Sequence, residues 1–308
     1  MKRLFVLMVI MAAAITTAEA KQGYPAQTGN QGAKPAAPAA QPPAPAVQSG
    51  RAMPAAKTQD EFKAYQEASA KTSPAEVEAA ADAFAVKFPE SELRTLVYRK
   101  GMYAYQNANN GEKCVAMAKK ILAIEPNNPE ALVAFATITA QSTRETDLDR
   151  DERLNEAVAD ASKALETIDT DLLIPANAPA DRIEAFKKSM RAMAYDALGT
   201  VAMVKKDYAT AETNLRKSAE LNAMPDPVTY LRLSVALDQQ KKYPQALDAA
   251  NKAVQYSDNS PQANNLAKIE RDRLQKLMNA GGTPAPATSP APSSPTPAAP
   301  PASKPPQQ

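Results

Sequence analysis

The sequence predicts an all-α chain of stacked antiparallel helix pairs flanked by two non-globular tails. Three observations predict it. Residues 55–280 are rich in alanine, leucine, lysine, glutamate and glutamine, with short β-branched runs and no strand-like alternation closed by hairpin turns. Helix breakers stand at intervals suited to paired helices: Pro89, Pro126-Asn127-Asn128-Pro129, Pro225-Asp226-Pro227 and Ser260-Pro261. The chain also resembles itself at an offset of 35, which carries Tyr195, Leu198 and Gly199 onto Tyr230, Leu233 and Ser234. The same offset carries Tyr208 and Ala211 onto Tyr243 and Ala246, and Ser218 onto Ala253.

Of the 308 residues, 1–20 read as a secretory signal. Lys2 and Arg3 form a basic start, Leu4 to Ile15 is an apolar run, and Ala18-Glu19-Ala20 offers the small residues of a cleavage site between Ala20 and Lys21. The apolar run spans only about 18 Å as a helix, too short for a bilayer. An exported protein, periplasmic or secreted, with no membrane span after cleavage is therefore expected. Residues 21–54 hold seven of the 27 prolines and 281–308 hold ten. Both segments lack the apolar surface that offsets chain entropy and are expected to be disordered. The tails are mildly basic, through Lys21, Lys34, Arg51 and Lys304, and leave 55–280 at a net charge of −3.

Within the body, a first unit runs from about Lys57 to Ser91, its second helix from Ser73 to Phe88 with Ser73 as N-cap and Pro74 at the first helical position. A second unit spans Thr95 to Asn128, with Tyr98 and Tyr105 at large positions and Cys114 as a small core residue in its second helix. The middle unit pairs Pro129–Gln141 with Asp151–Ile168 and carries two inserts, 142–150 and 169–178. In the second insert Leu172, Leu173 and Ile174 either tuck against neighbouring helices or form part of a binding face. A long helix from near Ala180 to Lys205 then enters the unit that starts at Tyr195, and the unit at Tyr230 follows. Gln262 to Asn279 suits a capping helix with Leu266, Ile269, Leu274 and Leu277 on one stripe and Lys268, Arg271 and Lys276 elsewhere.

These units resemble the tetratricopeptide repeat family. Tyr195, Leu198, Gly199, Ala202, Tyr208, Ala211, Leu215 and Ser218 occupy the large and small places of its pattern. Small residues at Gly199, Ala211 and Ser218 let two helices approach closely, and the large ones fill the groove to the next unit. Gly101 stands one place before the usual glycine. The resemblance implies a right-handed α-solenoid of about five units plus the C-terminal capping helix, whose first helices line a concave partner-binding face. Its geometry places there Arg99, Tyr103, Gln106 and Asn107; Val133, Thr137 and Gln141; Asp196, Thr200 and Met203; and Leu231, Val235, Asp238 and Gln239. Arg99, Tyr103, Val133, Asp196 and Leu231 do not compose the lysine, asparagine and arginine clamp that grips a terminal carboxylate.

Composition narrows the chemistry. There is no histidine and one cysteine, which removes histidine-based triads, histidine metal sites, thiolate zinc clusters and disulfides within the chain. No tryptophan, 5% aromatics and a net charge of +2 argue against nucleic-acid capture. The carboxylates Glu145, Asp147, Asp149, Asp151 and Glu152 lack the central glycine and spacing of a calcium loop, and Arg144, Arg150 and Arg153 neutralise them. Isolated glycines such as Gly111 make no phosphate loop. The sequence therefore points to a non-enzymatic scaffold without cofactor or metal, binding a protein or peptide partner in cell-envelope assembly or organisation. The alternative is a structural spacer that contacts the cell wall through its proline-rich tails.

Overall fold

The computed structural model describes residues 50–281 except Asn259; the signal segment, most of the N-terminal tail and the C-terminal tail lie outside the described residues. Among the described residues eleven helices follow one another: α1 (Gln59–Ser69), α2 (Pro74–Lys87), α3 (Leu93–Asn107), α4 (Gly111–Ile124), α5 (Pro129–Ser142), α6 (Arg150–Thr167), α7 (Ala180–Val204), α8 (Tyr208–Leu221), α9 (Pro227–Gln239), α10 (Tyr243–Gln255) and α11 (Pro261–Asn279). Each packs on the next, so the chain stacks as successive helix pairs closed by α11. Two short strands, β1 (Arg51–Ala52) and β2 (Leu173–Ile174), pair in parallel across the stack. No alternation or turn signal in the sequence marks them.

Helix starts follow local chemistry. The side chains of Thr58, Ser73, Asn110, Asn128, Asp207 and Asp226 accept hydrogen bonds from backbone N–H groups of the first turn. Pro74, Pro129, Pro227 and Pro261 open four helices, where a missing N–H costs nothing.

The turn inside three of the pairs is a single recurring device. Asn109, Lys206 and Lys241 adopt positive φ of 53°, 60° and 60°. The residue after each sends its N–H back to the carbonyl of Tyr105, Ala202 or Leu237 at 2.9 Å. This satisfies one of the last-turn carbonyls that would otherwise be left open. A lysine pays a steric cost in the left-handed region that glycine does not. Lys241→Gly is therefore expected to raise stability by up to about 1 kcal/mol, read as a higher urea midpoint with unchanged slope.

Small residues set the helix crossings. A Cβ on Gly199 would lie 2.7 Å from Leu215 Cγ and 2.8 Å from its Cδ2. Ala211 and Ser218 are buried in the same seam. One repeat later Ser234 replaces the glycine and donates its hydroxyl to the Ala246 carbonyl of α10 at 2.8 Å. At Gly101 a Cβ would stand 3.2 Å from Met117 Sδ, so the displaced glycine still serves the α3–α4 approach.

A second regularity, at a spacing of 22, joins the two helices of a pair. Lys120 lies over the Tyr98 ring, Lys217 over Tyr195 and Lys252 over Tyr230, at 5.3, 5.1 and 5.9 Å from the ring centroids. The second helix of each pair thus reaches over the first helix's tyrosine, a contact worth about 0.5–1 kcal/mol at exposed sites.

The centre is the most enclosed part. Eleven of the fourteen residues of α5 are buried. The 25-residue α7 continues N-terminally past the pair register, and Met190, Met193 and Ala194 cluster with Leu132 and Val133 of α5. The insert 169–178 takes the tucked arrangement, with Leu172, Leu173 and Ile174 buried. They are covered by a strap from the N-terminal side. Arg51 donates its N–H to the Leu172 carbonyl at 2.8 Å. Gly50, at φ 136°, leaves room for Ile174, whose Cδ1 an added Cβ would meet. Asp169 closes the insert's start by pairing with Lys187 at 3.3 Å and Arg191 at 2.5 Å.

The last helix corrects an expectation. α11 buries Leu274 of the expected stripe together with Ala263 and Ala267 and holds Leu277 half-buried, but leaves Leu266 41% and Ile269 59% exposed. Packing against α10, whose buried residues are all alanine, brings the helices close, and the small stripe of α11 suits that approach.

Candidate functional site

The first helix of each pair, α3, α5, α7 and α9, carries the fourteen residues expected to meet a partner. The structure separates them into three groups.

The first group is used internally, between neighbouring pairs. Arg99 of α3 reaches Glu130 of α5 with Nη1 3.1 Å from Oε1, and the Tyr103 hydroxyl donates to the other carboxylate oxygen. The Glu130 side chain is 4% exposed. Burial holds the Tyr103 phenol well above its ordinary range, and Glu130 adds to this; the same carboxylate raises Arg99 further. Two units on, Asp196 of α7 accepts from Arg232 of α9 at 2.9 and 3.2 Å and from the Thr229 hydroxyl at 2.9 Å. Asp238 of α9 pairs with Arg273 of α11 at 2.6 Å. Each pair joins one unit to the next along the stack.

The second group is buried. Val133 lies at 0%, packed against α6 and α7, and Thr137 at 4%. Thr200 is 7% exposed, and among the described residues the hydroxyls of Thr137 and Thr200 have no hydrogen-bond partner. Met203 is half-buried against the C-terminal core. The expectation that Val133, Thr137, Asp196 and Thr200 line an open face is corrected here. Packing between units accounts for this: Val133 clusters with Met190 and Met193 of α7, and Asp196 is held by Thr229 and Arg232 of α9.

The third group remains presented. Asn107, Gln141 and Gln239 are exposed, and Gln106, Leu231 and Val235 are half-buried. These are neutral side chains, able to offer amide hydrogen bonds and limited apolar contact but no charge.

Other candidate chemistry resolves into structural contacts. Within the acidic insert Glu145 pairs with Lys206 at 3.0 Å, Asp147 with Arg153 at 3.3 Å and Asp151 with Arg150 at 2.6 Å. Among the described residues no cluster of histidine, cysteine, aspartate and glutamate has the arrangement of a metal site. The Cys114 thiol is fully buried, which pushes its pKa up to about 12 and keeps the thiolate scarce at neutral pH.

One carboxylate on α6 is unfavourably placed. Burial, with Glu156 one turn away, raises Asp160 to about 6. A carboxyl whose folded pKa exceeds its unfolded value stabilises the fold at low pH, and that contribution is lost as pH rises through 6. Asp160→Asn is expected to add about 1 kcal/mol at pH 7, after allowance for solvent screening at this half-exposed site, and nothing at pH 4. Urea midpoints at the two pH values check it.

No protein-family model matches the chain, and no curated protein matches it. Among solved structures, one described as "Crystal structure of MamA protein" aligns with 60% of this chain and 88% of its own, at 19% identity and a TM-score of 0.37. The architecture is read from this chain's own helices: stacked pairs, a repeated Schellman turn and a register of 35. Among the described residues no helix is long and apolar enough to cross a membrane.

Proposed function

We propose that this chain is an exported scaffold of tetratricopeptide type that binds a protein or peptide partner in the cell envelope. The observation that carries the reading is the fixed stack of helix pairs, tied from unit to unit by Arg99–Glu130, Asp196–Arg232 and Asp238–Arg273. Such ties hold the first helices in a preset curve, so a docking segment meets a surface whose ordering cost is already met. Recognition then falls to the presented residues Gln106, Asn107, Gln141, Leu231, Val235 and Gln239. Neutral amides and small apolar side chains suit an uncharged peptide with backbone hydrogen-bonding groups available.

Export rests on the signal pattern of residues 1–20, and the envelope role on that address together with the repeat architecture. The test uses the full mature chain as bait in cross-linking of native envelope. An Asn107→Glu, Gln141→Glu, Gln239→Glu variant runs beside it, since these exposed positions tolerate charge without disturbing the ties. One dominant protein lost in the variant supports the reading. Retention on cell wall with no captured protein favours the spacer instead.

A further inference from the structure

The strap formed by β1 meets the insert 169–178 as a ligand meets a site, and the receiving side is built without it. Asp169, held by Lys187 and Arg191, fixes the start of the insert. The Ala178 N–H donates to the Pro175 carbonyl at 3.0 Å and fixes its end. Leu172 is 1% exposed, and Leu173 belongs to the N-terminal core. One arginine's length away stands Glu125, at the C-terminal end of α4, with its side chain 9% exposed. The Thr95 hydroxyl and the Asn128 amide donate to its two oxygens at 3.2 and 2.9 Å. They hold the carboxylate in place but do not balance its charge.

The arriving side is slight. β1 pairs over two residues, Arg51 with Leu173 and Ala52 with Ile174. Among the described residues Arg51 is the cation paired with Glu125, at 3.5 Å and with its own side chain 38% exposed. An ion pair so open to water contributes about 1 kcal/mol or less. Pro54 has no N–H with which to extend the ladder. The contact is nonetheless selective at two adjacent positions. Gly50 lies at φ 136°, and a Cβ there would meet Ile174 and stand 2.9 Å from the Leu172 carbonyl oxygen. The next residue must carry a cation long enough to reach Glu125. Gly-Arg occurs once in the chain, at these two positions. Strand addition divides its work in the same way, with backbone hydrogen bonds giving affinity and side-chain positions giving specificity.

We propose that Leu172–Ile174 and Glu125 form a strand-docking site for an extended Gly-Arg segment of a protein partner, and that the chain's own Gly50 and Arg51 hold it shut as an internal ligand. A weak tethered ligand excludes competitors through its high local concentration, and yields to a segment that adds contacts beyond two residues. The site shares no residue with the presented first-helix surface and selects a cation where that surface is neutral, so it does not rest on that reading.

The probe is a fluorescent peptide of residues 48–56, titrated with the mature full-length chain and read by anisotropy. Gly50→Val and Arg51→Glu, made separately in the chain, unseat the strap by size and by charge. Each is expected to bind the peptide at least about tenfold more tightly than the wild type, with unchanged circular dichroism because the strap lies outside the helices. Peptides carrying Gly50→Val or Arg51→Glu are expected to lose at least about tenfold on the same chains, as is the wild-type peptide once Glu125→Gln is added to the Gly50→Val chain. Adding Asn107→Glu, Gln141→Glu and Gln239→Glu to that chain instead leaves peptide binding unchanged, which separates this site from the first-helix face. In the wild type, excess peptide is expected to speed hydrogen exchange at the Arg51 amide, and the Gly50→Val peptide is not. A folded, unseated chain that ignores the peptide overturns the proposal, as does equal binding of the Gly50→Val peptide or wild-type binding as tight as the variants'. Concentration-dependent dimerisation of the wild type by exchange of straps also overturns it, because the occupant is then a second copy.

Discussion

Replacing Arg99 by methionine is expected to lower stability by about 3 kcal/mol, the largest loss of any single change on the first-helix face. Methionine keeps most of the stem's packing, so the loss is electrostatic. Glu130 is buried at 4% side-chain exposure and takes its charge balance from Arg99, with one further hydrogen bond from Tyr103. Without the guanidinium a carboxylate is left buried beside a neutral phenol. Breaking such a pair from one side costs about 3–5 kcal/mol, and the lower end applies because Arg99 keeps 27% exposure. The double variant Arg99→Met, Glu130→Met leaves no orphaned charge and is expected to recover most of the loss. Urea titration of the four proteins closes the cycle. If the single and double variants lose the same amount, the pair is not what joins α3 to α5.

Gly199→Val is expected to cost about 3 kcal/mol, for a reason that is purely steric. The added Cβ alone would stand 2.7 Å from Leu215 Cγ, and the Leu215 backbone nitrogen at 3.3 Å restricts any retreat. Removing a glycine from a helix interior gains up to about 1 kcal/mol, and overpacking with two further methyl groups outweighs it. The chain contains its own control. In the next unit the register places Ser234 at the glycine position and Ala250 at the leucine position. A Gly199→Ser, Leu215→Ala variant copies that pairing, and its loss is expected to be smaller than the sum of the two single losses. Thermal unfolding of the three variants measures the coupling.

Both predictions follow from a division visible along the whole chain. The helices were legible because their causes are local. Asn128 followed by Pro129, Ser73 followed by Pro74 and the Pro225-Asp226-Pro227 run each supply a cap or a compatible first residue within a single turn. The tyrosine and small-residue register at 35 was legible because each unit solves the same close approach between two adjacent helices. The lysine at 22 residues beyond each of three tyrosines belongs to the same class and could have been found by the same self-comparison.

The candidate site was legible only as a set of helix faces. Arg99 and Glu130 are 31 residues apart, Asp196 and Arg232 are 36 apart, and each pair reads on its own as two surface charges. Whether they meet depends on how closely neighbouring units stack, which small residues and the helix crossings decide. Val133 is covered in part because α7 begins before its repeat register and brings Met190 onto it, a length visible in sequence whose direction is not. The β1–β2 strap joins residues more than a hundred positions apart through a glycine that fits beneath Ile174. The sequence by itself therefore determined the helices, their caps, the repeat period and the seams within each pair, because those interactions act over a few residues or within one hairpin. Tertiary structure alone decided which side chains of the first helices tie the units together, which lie covered, and which remain for a partner. Those outcomes rest on contacts between units, where burial gives a charge its energetic weight and where local spacing carries no information.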